Sequence, residues 1–173
     1  MKMVLAAAVA VLIAGPAQAA AVSTSSTGFR LENRATVAAT PDQVWTALGQ
    51  IGSWWSSDHT YSGSAANMTM PLKVGACFCE ALPGGGVEHG RVILVWPEQK
   101  LVRVRAALGP LQDEGVSAVL SFQVKPAEGG AEIVETYNVG GARAETAALW
   151  PNVNAVLAEQ LDRLKAYVET KKP

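Results

Sequence analysis

The sequence predicts an α+β fold, in which a curved antiparallel sheet of about seven strands wraps around a long C-terminal helix. Three observations lead there. Strand-like stretches follow one another with only turn signals or short helical pieces between them, so neighbours in sequence pair as hairpins. The last segment carries apolar residues at Val153, Val156, Leu157, Leu161, Leu164 and Val168, steps of three and four that mark one helix face. The 173-residue chain is 49% hydrophobic and 17% charged, a composition suited to one globular domain and not to a disordered chain. A formal net charge of -1 leaves no basic face broad enough for a polyanion, so nucleic acid and acidic lipid surfaces are poor candidates as main partners.

At the N-terminus, Lys2 precedes the uncharged run Val4 to Ala14, and Gly15-Pro16 leads to Ala17-Gln18-Ala19. This is the pattern of a cleaved secretory signal over residues 1–19, and its apolar run is too short to span a bilayer. The mature product is therefore expected in the periplasm or outside the cell, with no integral membrane span. Residues 20–28, small and polar, read as a flexible lead-in, and residues 29–173 as a single domain.

The first strand is Phe29 to Val37, where apolar and polar residues alternate. Thr40-Pro41-Asp42-Gln43 then supplies an N-cap hydroxyl, Pro at the first helical position and Gln three residues after the cap, a capping box opening the helix Val44 to Leu48. Gly49 and Gly52 interrupt it, and any turn over Ile51 to Trp55 is brief before the irregular stretch Ser56 to Ala65. Six strands follow: Asn67 to Leu72, Ala76 to Ala81, Val87 to Trp96, Leu101 to Ala107, Ser117 to Lys125 and Ala131 to Val139. Their breakers are Pro83 to Gly86, Trp96 to Gln99, Gly109-Pro110, and Pro126 with Gly129-Gly130. Pro151 sits in the first turn of the final helix, and Lys165, Lys171 and Lys172 lie toward its negative end.

Several segments in this order resemble the START-related superfamily known as SRPBCC, and within it the polyketide-cyclase and heat-shock-chaperone-ATPase-activator-like branch. They are Ala39 to Trp45, Trp54-Trp55 with His59 to Gly63, Gly75 to Glu80, Val87 to Val92, and Ala107 to Gln112. The resemblance implies a helix-grip fold with an internal cavity for apolar or amphipathic small molecules. It does not imply a reaction, since the superfamily includes carriers, cyclases and dehydratases.

Aromatic residues say most about binding. Trp54, Trp55 and Tyr61 cluster in one loop and, with Leu108 and Leu111 from the Gly109-Pro110 loop, can line a pocket mouth. Adjacent tryptophans do not both point inward easily, so one is expected to face cavity or solvent. Trp45, Trp96 and Phe122 are expected in the core, and Trp150 at a pocket end. His59, His89 and Tyr137 complete the candidate ligand-contacting set, although a hydrogen-bonded structural role is the ordinary one for a strand histidine such as His89. Glu80 and Glu88 flank a hairpin turn, where exposed carboxylates are the rule.

Cys77 and Cys79 share a strand face with Cα atoms about 6.6 Å apart in regular geometry, near the upper limit for a disulfide. A Cys77–Cys79 bond and two buried thiols are both open readings. A Cys2His2 metal set with His59 and His89 lacks the C-x-x-C spacing of zinc sites, so no metal is expected. No nucleophile elbow or cofactor motif is present. The resulting expectation is an exported protein that holds a small lipophilic molecule between sheet and C-terminal helix. The alternatives are a cyclase or dehydratase using His59, His89, Glu88 or Tyr137, and a protein-interaction module with an unknown partner.

Overall fold

The structure, a computed structural model, describes residues 23–173. The expected signal at residues 1–19 lies outside the described residues. Eight strands form one antiparallel sheet in the order β1-β2-β8-β7-β6-β5-β4-β3. They are β1 (Ser23–Ser25), β2 (Gly28–Val37), β3 (Met68–Thr69), β4 (Cys77–Leu82), β5 (Gly85–Trp96), β6 (Leu101–Ala106), β7 (Ser117–Ala127) and β8 (Gly130–Gly140). The helices are α1 (Pro41–Leu48), α2 (Ala144–Ala147) and α3 (Trp150–Thr170). Each of the six expected later strands is present. Asn67 to Leu72 is cut to Met68–Thr69, because Pro71 has no N–H to give a ladder. Ser23–Ser25, inside the stretch read as a lead-in, pairs with β2, since ladder bonds need backbone and not apolar side chains. Short α2 was not expected.

The capping box of α1 forms as read, with Gln43 N donating to Thr40 Oγ1 at 3.3 Å and Thr40 N donating to Gln43 Oε1 at 2.8 Å. On the sheet's inner face, β2 contributes Phe29, Leu31, Ala35 and Val37, β7 contributes Leu120, Phe122 and Val124, and β8 contributes Ile133 and Tyr137. Helix α3 lies over this face with Val153, Leu157, Leu161, Leu164 and Val168 buried, the stripe its spacing predicts. Burial of these side chains holds helix to sheet.

Strand β5 departs from simple alternation twice. Opposite β4, Phe78 faces Gly90 and Cys79 faces Glu88, leaving His89 as an extra residue. Opposite β6, Val92 faces Val104 and Leu94 faces Arg103, leaving Ile93 extra. Each bulge shifts the side-chain phase by one. The second sends Val95 inward and Trp96 outward, so Trp96 is half exposed and donates from Nε1 to Glu98 rather than joining the expected core. Phe122 is buried as expected, and Trp45 is half-buried against the core.

Candidate functional site

A cleft of about 270 Å³ opens at one end of the sheet–helix sandwich, lined by Trp55, Asp58, His59, Thr60, Tyr61, His89, Leu108, Gly109, Pro110, Val153, Val156 and Leu157. Its walls are mainly apolar. The cleft meets α3 only in its first half, at Val153, Val156 and Leu157, and beyond these Leu161, Leu164 and Val168 are packed into the core.

Of the residues named from sequence, Trp55, His59, Tyr61, His89 and Leu108 are brought together here. Trp54 lies in the core instead, fully buried, with its indole N–H donated to Ala47 O at 2.9 Å and its ring edge-on to Phe122. Leu111 is fully buried beneath its loop and Tyr137 is fully buried in the sheet. Trp150 starts α3 and packs half-buried against the core, away from the cleft lining. The adjacent tryptophans divide as their geometry requires, with Trp55 alone reaching the cleft. Both are buried, and Arg163 of α3 donating to Trp54 O at 3.0 Å and Ser56 N donating to Gln160 Oε1 at 2.7 Å fasten the loop to the helix.

The polar centre of the wall is one buried pair. Glu80 follows Phe78 on the inner face of β4 and is 1% exposed. Its carboxylate accepts the backbone N–H groups of Tyr61, at 3.1 Å, and Ser62, and it meets His89 Nε2 at 3.0 Å. Burial pushes the Glu80 pKa up, but the bonds from Ser62, Tyr61 and His89 outweigh it and hold the carboxyl below its ordinary value. An ionised carboxylate only accepts, so His89 Nε2 carries the proton of that bond. Nδ1 is then the ring's free position. It has no hydrogen-bond partner among the described residues, and the ring lines the cleft.

The bulge places His89 there. With one extra residue between Glu88 and Gly90, both His89 and Gly90 lie on the buried side while Glu88 and Arg91 stay outside. Gly90 is required, because a Cβ at this position would press on Arg105 O and lie 2.7 Å from Ala106 Cβ. The His89 ring packs between Phe78 and Tyr61, at centroid distances of 5.1 and 5.9 Å. Sequence reading missed Glu80 as a buried acid, although its shared phase with Phe78 was a usable signal. Glu88, the other carboxylate considered, is exposed and paired with Arg91.

Cys77 and Cys79 are joined by a disulfide with Cα atoms 5.2 Å apart, on the outer face of β4. They therefore point away from His89, and among the described residues no three His, Cys, Asp or Glu side chains are grouped to hold a metal. Nor is any described helix long and apolar enough to cross a membrane.

At the mouth, Tyr61 Oη donates to Gln112 Oε1 at 2.9 Å and Gln112 Nε2 donates to Glu88 O at 3.0 Å. His59 Nε2 lies 3.0 Å from Glu159 Oε2 of α3. Tyr137 Oη donates to Ala106 O at 2.8 Å and accepts Leu108 N–H at 3.2 Å, fixing the start of the loop that carries Leu108 to Pro110.

Sheet, gripping helix and side cleft define a helix-grip protein with a small apolar chamber. The family model described as polyketide cyclase / dehydrase and lipid transport matches residues 28–169, and the chain belongs to that family, within the SRPBCC superfamily. A search of curated proteins found no match. Among solved structures, the chain is similar to a Rhodobacter sphaeroides protein at 24% identity, covering 86% of this chain and 97% of that one, with a TM-score of 0.60. It is also similar to the Aha1 dimer of Colwellia psychrerythraea at 22% identity, covering 83% and 98%, with a TM-score of 0.60. Norcoclaurine synthase of Thalictrum flavum, solved with a transition-state analogue, is similar at 19% identity, covering 87% and 96%, with a TM-score of 0.55. At these identities the structural likeness shows the fold alone.

Proposed function

We propose that this is an exported binding protein for a small, mainly apolar molecule, held in the cleft between the Trp55–Tyr61 loop, the Leu108–Pro110 loop and the first half of α3. The observation that carries the reading is the cleft itself, apolar in its walls with one buried, oriented polar pair, the combination that small-molecule sites share. Its volume of about 270 Å³ is small for a ligand site, which runs from roughly 300 to 1,000 Å³. That suits a compound of one or two rings better than a long acyl chain. Family membership supports ligand binding, and the signal-like pattern of residues 1–19 supports export.

Native mass spectrometry of protein purified from the exported fraction without reduction, followed by organic extraction, tests this. The expected result is a chain beginning at Ala20 with a low-mass organic adduct that leaves on extraction. Empty protein that also takes up no aromatic probe overturns the binding reading, and a chain retaining residues 1–19 overturns export.

One observation favours a second reading, catalysis on the bound molecule: His89 is buttressed by a carboxylate, as proton-accepting histidines are. Norcoclaurine synthase shows that the fold can host an enzyme. Turnover of an extracted ligand that is lost in His89→Phe would select this reading over simple carriage.

A further inference from the structure

We propose, building on the binding reading above, that the cleft selects a neutral hydroxylated aromatic, a phenol or its enol equivalent, whose O–H donates to His89 Nδ1. Most polar side chains around the cleft are already engaged. His59 is engaged with Glu159, the Thr60 hydroxyl donates to Ser57 O at 2.7 Å, and the Tyr61 hydroxyl donates to Gln112. His89 Nε2 is committed to Glu80, which leaves Nδ1 as the unpartnered ring atom. Glu80 orients the ring: it accepts the Nε2–H bond, and in the neutral imidazole Nδ1 then presents a lone pair, an acceptor that recognises a donor.

Charge narrows the class further. Among the described residues no Lys or Arg lines the cleft, while Asp58 is on its rim and the Glu80 carboxylate stands behind His89. A carboxylate ligand such as a fatty acid would meet two acids and no cation, whereas a neutral hydroxyl meets no opposing charge. Shape agrees. Trp55 and Tyr61 join His89 as aromatic walls, and Phe78 backs them with its ring 5.7 Å from that of Trp55 and 5.1 Å from that of His89. Flat rings are the natural complement of such walls.

The test uses three probes of one scaffold, naphthalene, 2-naphthol and 2-naphthoate, in equilibrium dialysis with the full exported protein. The expected order is 2-naphthol about tenfold tighter than naphthalene, the worth of one buried hydrogen bond, with 2-naphthoate weakest. In His89→Phe, which keeps a ring between Phe78 and Tyr61, the advantage of 2-naphthol over naphthalene disappears. A measurement free of any variant accompanies it: 15N NMR of the wild-type imidazole, in which 2-naphthol moves the Nδ1 resonance and naphthalene does not. Equal affinity for naphthol and naphthalene, or an unmoved Nδ1, overturns the hydroxyl proposal while leaving apolar binding intact. Preference for 2-naphthoate overturns it in favour of an anion site. Absence of binding by all three removes the binding reading itself.

Discussion

Asn33 on β2 and Glu135 on β8 stand directly opposite each other in the ladder, and Asn33 Nδ2 donates to Glu135 Oε2 at 3.0 Å with both side chains enclosed in the core. Their remaining oxygens, Asn33 Oδ1 and Glu135 Oε1, have no partner. Burial pushes the Glu135 pKa up to about 8, with the Asn33 bond opposing only in part. At neutral pH the folded protein therefore keeps this carboxyl mostly protonated, while the unfolded chain has released that proton.

The sign of the pH dependence follows. Between the ordinary carboxylate pKa and about 8 the native state binds the extra proton, so stability falls as pH rises through that interval and then levels off. Urea denaturation at pH 5, 7 and 9 is expected to show a decline of a few kcal/mol. Glu135→Gln should flatten this slope and be the more stable protein at pH 9. Wild-type stability rising across the interval would refute the assignment. Glu80, whose pKa is lowered, acts oppositely: its contribution is present above the ordinary carboxylate pKa and is lost as pH falls through the folded value.

Gly90→Ala tests the bulge. The new methyl meets backbone and Ala106 Cβ rather than a flexible side-chain end, so a loss of about 2 kcal/mol or more is expected in chemical denaturation. The naphthol affinity of the surviving fold should fall as His89 is displaced. A variant of unchanged stability and binding would show that the ladder yields freely there.

Replacing Cys77 and Cys79 together with Ser should leave the fold intact. The bond closes a loop of sequence separation 2, and so short a loop removes little unfolded-chain entropy, about 1–2 kcal/mol in the loop-closure model. Denaturation midpoints of the two proteins measure it. Failure of the Ser variant to fold would assign the bond a larger structural part than closure entropy gives it.

Tyr137→Phe keeps the ring, which packs edge-on to Phe29, but leaves Ala106 O and Leu108 N without their hydroxyl partner. A cost of about 1–3 kcal/mol is expected, with faster amide exchange at Leu108 to Leu111. Exchange protection unchanged over that loop would separate Tyr137 from the cleft.

Much of the fold was legible because long strands alternate cleanly: β2, β7 and β8 follow their period, and α3 follows its stripe. The capping box at Thr40 announced α1. What could not be read was phase through β5, since the extra residues His89 and Ile93 exist only relative to β4 and β6. Trp96 was misplaced for that reason. The Glu80 cluster was hidden differently, because two of its donors are backbone groups of Tyr61 and Ser62, which no residue type advertises. Asn33 and Glu135 occupy inward positions of alternating strands, a signal the sequence carried but the reading did not use.

The single extra residue in β5 also changes what counts as a mutation of the site. Deleting Glu88 would remove the bulge and leave His89 opposite Cys79 on the outer face, turning the group the ligand is proposed to touch around without changing it. Ladder parity, one count more or less along a strand, decides whether the imidazole belongs to the interior or to the solvent. The chemistry of this cleft is thus written partly as arithmetic of the chain, and insertions or deletions, rather than substitutions, are the changes that would switch it on or off in a related sequence.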